Sequence, residues 1–161
     1  LSWDYEEDAF TFTIKHEKLL NNCSRQFFLN DGPLAFLPIN QNTTSLVWSL
    51  SKDSEMRKIV NSKLSLEKYL NSNFSIYKNI KLNSKIESFS LKFNFLTCGI
   101  EPRKINIGDV SHRIHPIAGQ GWNMTVRDIK QLYDVYQDKK QYGYDYGDFS
   151  LLEEYEKKNK N

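Results

Sequence analysis

The sequence predicts a mixed α/β fold (α+β), with a strand-rich sheet domain over residues 1–100 and a strand–loop–helix segment over residues 101–161. Three observations carry that expectation. Apolar and polar residues alternate in two stretches: Phe10, Phe12 and Ile14 against Thr11 and Thr13, and Phe89, Leu91, Phe93 and Phe95 against Ser88, Ser90, Lys92 and Asn94. A period of two is the mark of a strand with one buried face. The apolar period then lengthens to helical spacing at Met56, Ile59, Val60 and Leu64, and again from Trp122 to Tyr136. Finally, a loop with proline and glycines separates the short segment Lys104-Ile105-Asn106-Ile107 from the last long helical pattern.

Taken in order, residues 3–14 form the first predicted strand. Asp31-Gly32-Pro33 has turn chemistry. Leu34-Ala35-Phe36-Leu37-Pro38-Ile39 and Ser45-Leu46-Val47-Trp48-Ser49-Leu50 flank the polar residues 40–44 and read as a hairpin. Helical spacing over 56–64 and a second short helix at Leu66, Tyr69 and Leu70 follow, and then the strand 86–95. Residues 104–107 form a short strand that ends at Gly108-Asp109. The helix 122–136 carries Trp122, Val126, Ile129, Leu132, Tyr133 and Tyr136. Ser150-Leu151-Leu152-Glu153 has the spacing of a capping box that opens a final helix.

Composition narrows the function classes. With 161 residues, 39% of them hydrophobic, the chain can bury a real core. A net charge of +2 without an arginine stripe gives no warrant for nucleic-acid binding. Two distant cysteines, Cys23 and Cys98, do not suggest a disulfide framework, and reduced thiols in a cytoplasmic or matrix-like compartment are the default. No apolar run approaches the roughly 18 residues that span a bilayer. The chain begins with Leu1 rather than Met, so the lack of a visible targeting segment decides nothing.

The chemistry sits in residues 108–123, Gly-Asp-Val-Ser-His-Arg-Ile-His-Pro-Ile-Ala-Gly-Gln-Gly-Trp-Asn. A strand delivers Asp109 at its C-terminal end, and a loop with Pro116, Gly119 and Gly121 leads into a helix. Ligands of α/β folds bind where strands end and helices begin. A helix start offers free N–H groups and a positive partial charge, and glycines let a flat or anionic group approach the backbone. The arrangement suits a polyhydroxylated ligand that develops negative charge near the helix start, and a reduced flavin answers that description. Two other readings stay open on the residues alone. Gly119-Gln120-Gly121 also suits an ordinary loop; Met124 stands where the dinucleotide fingerprint has its third glycine. Asp109, His112 and His115 are spaced for a metal, but no further Cys/His cluster accompanies them. His16 reads as a surface residue at a strand end.

Gly108-Asp109-x-x-His112 with Pro116, Gly119-x-Gly121 and Asn123 resembles the second FAD-binding motif of the para-hydroxybenzoate hydroxylase superfamily. The fuller run from His115 through Gly121, with Asn123 and Arg127-Asp128, resembles the ubiquinone-biosynthesis hydroxylases within it. Upstream, His16-Glu17, Asp31 to Pro38 and Ser45 to Trp48 resemble the same group's substrate-domain hairpin. The resemblance covers nearly the whole chain. Ser111, Trp122 and Thr125 depart from it, standing where Ala, Leu and Gly are common.

The resemblance implies a sheet that forms part of a substrate domain, followed by the last strand and helices of an FAD-binding domain. It implies that Asp109 accepts a hydrogen bond from the ribityl chain of FAD, that Gly119, Gly121, Trp122 and Asn123 present backbone to the pyrimidine edge, and that Pro116 lies beside the flavin. The implied reaction is hydroxylation of the ring of a polyprenyl phenol by dioxygen, through NAD(P)H-reduced FAD and a C4a-hydroperoxide, with no catalytic side chain assigned in this stretch. Phe36, Trp48, Phe89, Leu91 and Phe93 are candidates for an apolar wall facing that phenol; an ordinary sheet core is the alternative for each. Other ubiquinone-biosynthesis proteins as partners, and peripheral contact with an inner membrane, follow from such a substrate. Neither the N-terminal dinucleotide motif nor the mid-chain Asp-Gly motif of such enzymes is in the sequence. The chain is therefore expected to be a C-terminal part that neither retains FAD tightly nor hydroxylates on its own. A hydroxylase of another small aromatic, and a non-catalytic interaction module that keeps the fold, are the competing expectations.

Overall fold

The computed structural model describes residues 1–19, 23–96 and 99–159. The chain divides into two compact units, Glu6–Leu91 and Leu1–Tyr5 with Lys92–Asn161. The limits of these units fall inside two strands, β1 (Ser2–Lys15) and β6 (Glu87–Phe95), each of which contributes to both units.

The first unit is a sheet backed by helices. Besides the two shared strands it contains β2 (Arg25–Leu29), β3 (Gly32–Asn40), β4 (Thr43–Ser51), α1 (Met56–Val60), α2 (Lys63–Asn73) and β5 (Lys81–Leu82). The strand order is β2-β3-β4-β1-β6, with β5 paired to the end of β1. The pairs β1–β4, β3–β4 and β2–β3 are antiparallel. Alternation assigns the two faces. Phe10, Phe12, Ile14, Leu34, Phe36, Leu46 and Trp48 point to the helices and are buried with Val60, Leu66, Leu70, Phe74 and Tyr77. Phe36 stacks on Tyr77 and Trp48 on Tyr69. The other face carries Ala35, Val47 and Thr11 in one cross-strand row, all half-buried.

Three local expectations are revised here. β2 has no counterpart among the predicted strands, since Arg-Gln-Phe-Phe-Leu shows no clean alternation. The turn lies at Asn30 and Asp31, and Gly32-Pro33 already belong to β3. Gly32 takes φ +129°, and a Cβ there would lie 2.1 Å from the Ser49 carbonyl oxygen, so only glycine lets these strands approach. His16 is buried, not superficial. Its Nδ1 donates to the Glu17 carbonyl at 2.7 Å and its Nε2 accepts from the Thr44 hydroxyl at 2.8 Å. It ties the end of β1 to the start of β4.

The second unit holds β7 (Ile100–Glu101), β8 (Lys104–Ile105), β9 (His112–Arg113), α3 (Gln120–Lys140) and α4 (Phe149–Asn159). β9 pairs with the end of β6, and β7 with β8. The predicted strand 104–107 is thus shorter than expected and forms half of a small hairpin. Val135, Leu151, Leu152 and Tyr155 close a core between α3 and α4 with Ile100. The final helix does not open on a Ser150 cap. Asp148 takes that role: its Oδ1 accepts the Ser150 N–H at 2.9 Å, two residues earlier than the Ser-x-x-Glu spacing suggested. Among the described residues no helix is long and apolar enough to cross a membrane. Cys23 is exposed, and Cys98 lies outside the described residues.

Candidate functional site

The predicted loop lies wholly within the second unit. Residues Gly108–Val110 form a tight turn of 3-10 helix. Gly108 is buried with φ +63°, and a Cβ there would lie 2.8 Å from the Thr125 hydroxyl. The turn therefore presses on the first turns of α3. Thr125 in turn donates its hydroxyl to the Gly121 carbonyl at 3.0 Å, so the residue that departs from the family pattern fits against the helix it belongs to.

A buried carboxylate holds this turn from beneath. Asp128, 3% exposed, accepts the Gly108 N–H at 2.9 Å and the His112 Nε2 at 2.6 Å, both through Oδ2. A carboxylate with both donors aimed at one oxygen is a strong clamp, since hydrogen bonds to ionised acceptors are roughly twice as strong as neutral ones. His112 is itself buried. Its Nε2 donates to Asp128, and its Nδ1 has no hydrogen-bond partner. Beside them, burial and the Asp128 charge push the Tyr155 phenol well above its ordinary pKa, so it stays protonated.

The opposite side of the loop is open. Asp109, Pro116, Gly119, Trp122 and Asn123 are all exposed and Gly121 is half-buried. The Asp109 Oδ1 lies 3.6 Å from the place a Cβ on Gly121 would occupy, so the carboxylate stands beside the start of α3. Gly119 takes φ +61°, with nothing within 4 Å of its missing Cβ, and no side chain caps the helix there. His115 accepts the Ile117 N–H at 3.1 Å and bends the chain through Pro116–Ala118. The result is an uncapped, positively polarised helix start, two glycines without side chains in the way and an exposed carboxylate next to it. A ligand with hydroxyls and a negative edge fits that donor and acceptor set.

The five candidate wall residues do not lie together. Phe36 and Trp48 have no exposed surface and fill the closed core on the helix side of the sheet, so they have nothing to offer a ligand directly. Their period matched a wall, but the pleat turns them to α1 and α2. Phe89 and Leu91 belong to β6 in the same unit, where Phe89 is 54% exposed. On that strand Ser90 donates to Asp8, a neighbour of the buried row, and alternation therefore turns Phe89 and Leu91 to the face away from the helices. Phe93 lies in the second unit and stacks on Trp3 at 3.8 Å.

The structure also separates the three residues of the metal reading. His112 is committed to Asp128, Asp109 is exposed and His115 faces its own loop and the Tyr5 ring. Among the described residues no group of three or more His, Cys, Asp or Glu could hold a metal. The Asp128–His112 pair is what sequence reasoning missed. A signal existed: Met124, Asp128, Leu132 and Val135 share one helix face, and an acid on an otherwise apolar stripe needs a buried partner.

No family model matches the chain. It is 28% identical over 156 residues to the 3-demethoxyubiquinol 3-hydroxylase of Escherichia coli, covering 96% of this chain and 40% of that protein. It is 32% identical over 162 residues to a mitochondrial ubiquinone biosynthesis monooxygenase of Dictyostelium discoideum, covering 81% of this chain and 33% of that protein. Among solved structures, PqsL, a probable FAD-dependent monooxygenase from Pseudomonas aeruginosa, superposes with a TM-score of 0.74 at 20% identity, over 99% of this chain and 45% of that one. The chain thus spans less than half the length of each of these three.

Proposed function

On the premise that this chain is a relative of the ubiquinone-biosynthesis hydroxylases with the fold of the FAD-dependent monooxygenases, we propose that it supplies the substrate-side sheet and the second flavin-binding loop of an enzyme that hydroxylates the ring of a polyprenyl phenol. The observation that carries this reading is the loop itself, with Asp109 beside the uncapped start of α3 and the turn beneath it clamped by Asp128.

FAD, reduced by NAD(P)H, supplies the oxygen chemistry when bound. The residues of this chain hold and orient it. Asp109 would hold the cofactor by accepting a hydrogen bond from one of its hydroxyls. The N–H groups at Gly121, Trp122 and Asn123, with the partial positive charge of the helix start, would stabilise negative charge that develops on the reduced ring. Gly119 and Gly121 would leave room for it, and Pro116 would help to hold it. Phe89 and Leu91, on the open face of the sheet, offer apolar surface that excludes water from the phenol ring or its prenyl tail. Phe36 and Trp48 act from behind, by stiffening that sheet.

Complementation tests the reading. The reading frame that carries this chain is expected to restore ubiquinone in E. coli lacking its 3-demethoxyubiquinol 3-hydroxylase, and Asp109→Ala is expected to abolish the rescue. A purified product that retains FAD without restoring ubiquinone would redirect the activity to another small aromatic. A product that binds no flavin at all would leave an interaction module.

A further inference from the structure

We propose that one end of the sheet unit, where the end of β1 meets β5 and the turn between β3 and β4, docks on an anionic lipid surface. Backbone hydrogen bonds hold three segments together there. The His16 N–H donates to the Asn42 carbonyl at 3.0 Å, the Leu19 N–H to the Gln41 carbonyl at 2.8 Å and the Glu17 N–H to the Lys78 carbonyl at 2.9 Å. This end belongs to one unit and shares no residue with the loop at Asp109, so the inference does not depend on the flavin reading.

Charge is the first observation. Lys15, Lys18, Lys78 and Lys81 are all exposed at this end. Glu17 is the one carboxylate in residues 15–19, 39–43 and 76–82, and the Asn79 side-chain amide donates to it. The neighbouring Glu67 is half-buried and accepts the Leu82 N–H at 2.8 Å. At the opposite end of the unit the cations are neutralised: Lys52, Arg57 and Lys58 pair with Glu6, Asp8 and Glu55. Among the described residues the four lysines form no such pairs. Lys15 and Lys81 also stand directly opposite each other across the β1–β5 pair. Like charges so placed destabilise a sheet, and a layer of phosphates would relieve that repulsion. The two ends of the unit are roughly 25 Å apart along β1, against a screening length of about 8 Å, so the acidic end does not cancel the basic one.

The second observation is apolar. Ile39 is 59% exposed and Ile76 45% exposed, each on a segment that meets the lysines. Nucleic-acid surfaces grip phosphates with arginine and stack bases on aromatic rings. This end exposes lysine and isoleucine instead. Lysines for headgroup phosphates, with aliphatic side chains that enter the acyl boundary, make an interfacial surface.

The test is flotation of the 161-residue chain, without FAD, on vesicles of phosphatidylcholine alone or mixed with an equal part of phosphatidylglycerol. Binding is expected on the mixed vesicles only, and is expected to fall as salt is raised. Lys15→Gln and Lys81→Gln are each expected to weaken it about fivefold. Lys58→Gln, at the paired end, is expected to leave it unchanged. Ile39→Ser combined with Ile76→Ser is expected to weaken it without altering its salt dependence. Removing one of two facing like charges does not threaten the fold, so the lysine variants report on binding. No flotation, equal flotation on both vesicles, or full binding by the chain that carries both lysine substitutions would overturn the proposal. Tighter binding to duplex DNA than to vesicles of the same phosphate content would overturn it too, and would make this end a general polyanion surface.

Discussion

The two units solve opposite problems with similar elements. In the sheet unit the aromatics are spent on closure: Phe36, Trp48, Phe74 and Tyr77 interlock behind the strands, and every one is buried. In the loop unit several aromatic and branched residues of the main helix point outward. Trp122, Val126, Ile129 and Tyr133 form an exposed row on α3, and the buried face of the same helix carries a carboxylate. The first arrangement maximises burial and leaves little room for chemistry. The second gives up burial to hold one turn, with Gly108 at φ +63°. The difference teaches where to look for function: beside the open start of α3 and the buried Asp128–His112 pair, rather than in the closed aromatic core.

Substitutions can break that comparison. The largest effect is expected in the sheet unit, where Phe36→Ala removes a fully buried ring and is expected to cost about 3–5 kcal/mol in denaturant unfolding. Next comes Asp128→Ala. It leaves His112 and the Gly108 N–H without their acceptor, and a loss of about 3 kcal/mol is expected, as for other broken buried pairs. If Phe36→Ala proved milder than Asp128→Ala, the division of labour described above would be reversed.

Gly108→Ala is expected to cost about 1–3 kcal/mol, from positive φ and from the contact with Thr125. Combining it with Thr125→Gly should recover the steric part only, and full recovery in the double variant would show that the backbone conformation there is unstrained. The pH dependence separates the units further. Burial raises the Asp8 pKa, but hydrogen bonds from Arg57 and Ser90 and the Arg57 charge more than offset it, and the net shift is downward. A depressed folded pKa gives stability that is present above the unfolded value, about 3.9, and is lost as pH falls through the folded one. Acid unfolding of the sheet unit is therefore expected below roughly pH 4, and Asp8→Asn should flatten that limb. Retention of the limb in the variant would move its origin elsewhere.

Much of this was readable beforehand, for reasons the structure makes plain. Strands β1, β3, β4 and β6 announce themselves because one residue in two is apolar, and α3 because its spacing is helical. β2 and the hairpin of β7 and β8 are short and gain their form from neighbours, so local pattern said little. The loop was legible because glycine, proline and aspartate each have a narrow physical use. The wall was only half legible: a period of two says that residues share a face but not which face a helix will cover, and so Phe36 and Trp48 were grouped with Phe89 and Leu91. The Asp128–His112 pair spans 16 residues, and no short-range pattern joins them.

The smallest expected effect on stability falls at the most important residue. Asp109 is exposed and holds up nothing, so Asp109→Ala should leave unfolding unchanged to within about 0.5 kcal/mol. Its effect should appear only with ligand. An NMR titration of the chain with FAD, in the unaltered form and in Asp109→Ala, therefore tests the central claim most directly. The account predicts weak binding, with a dissociation constant above the micromolar range. It predicts shifts confined to Asp109 and to Gly119 through Asn123, and their loss in the variant. Shifts elsewhere, or an identical titration of the variant, would contradict it.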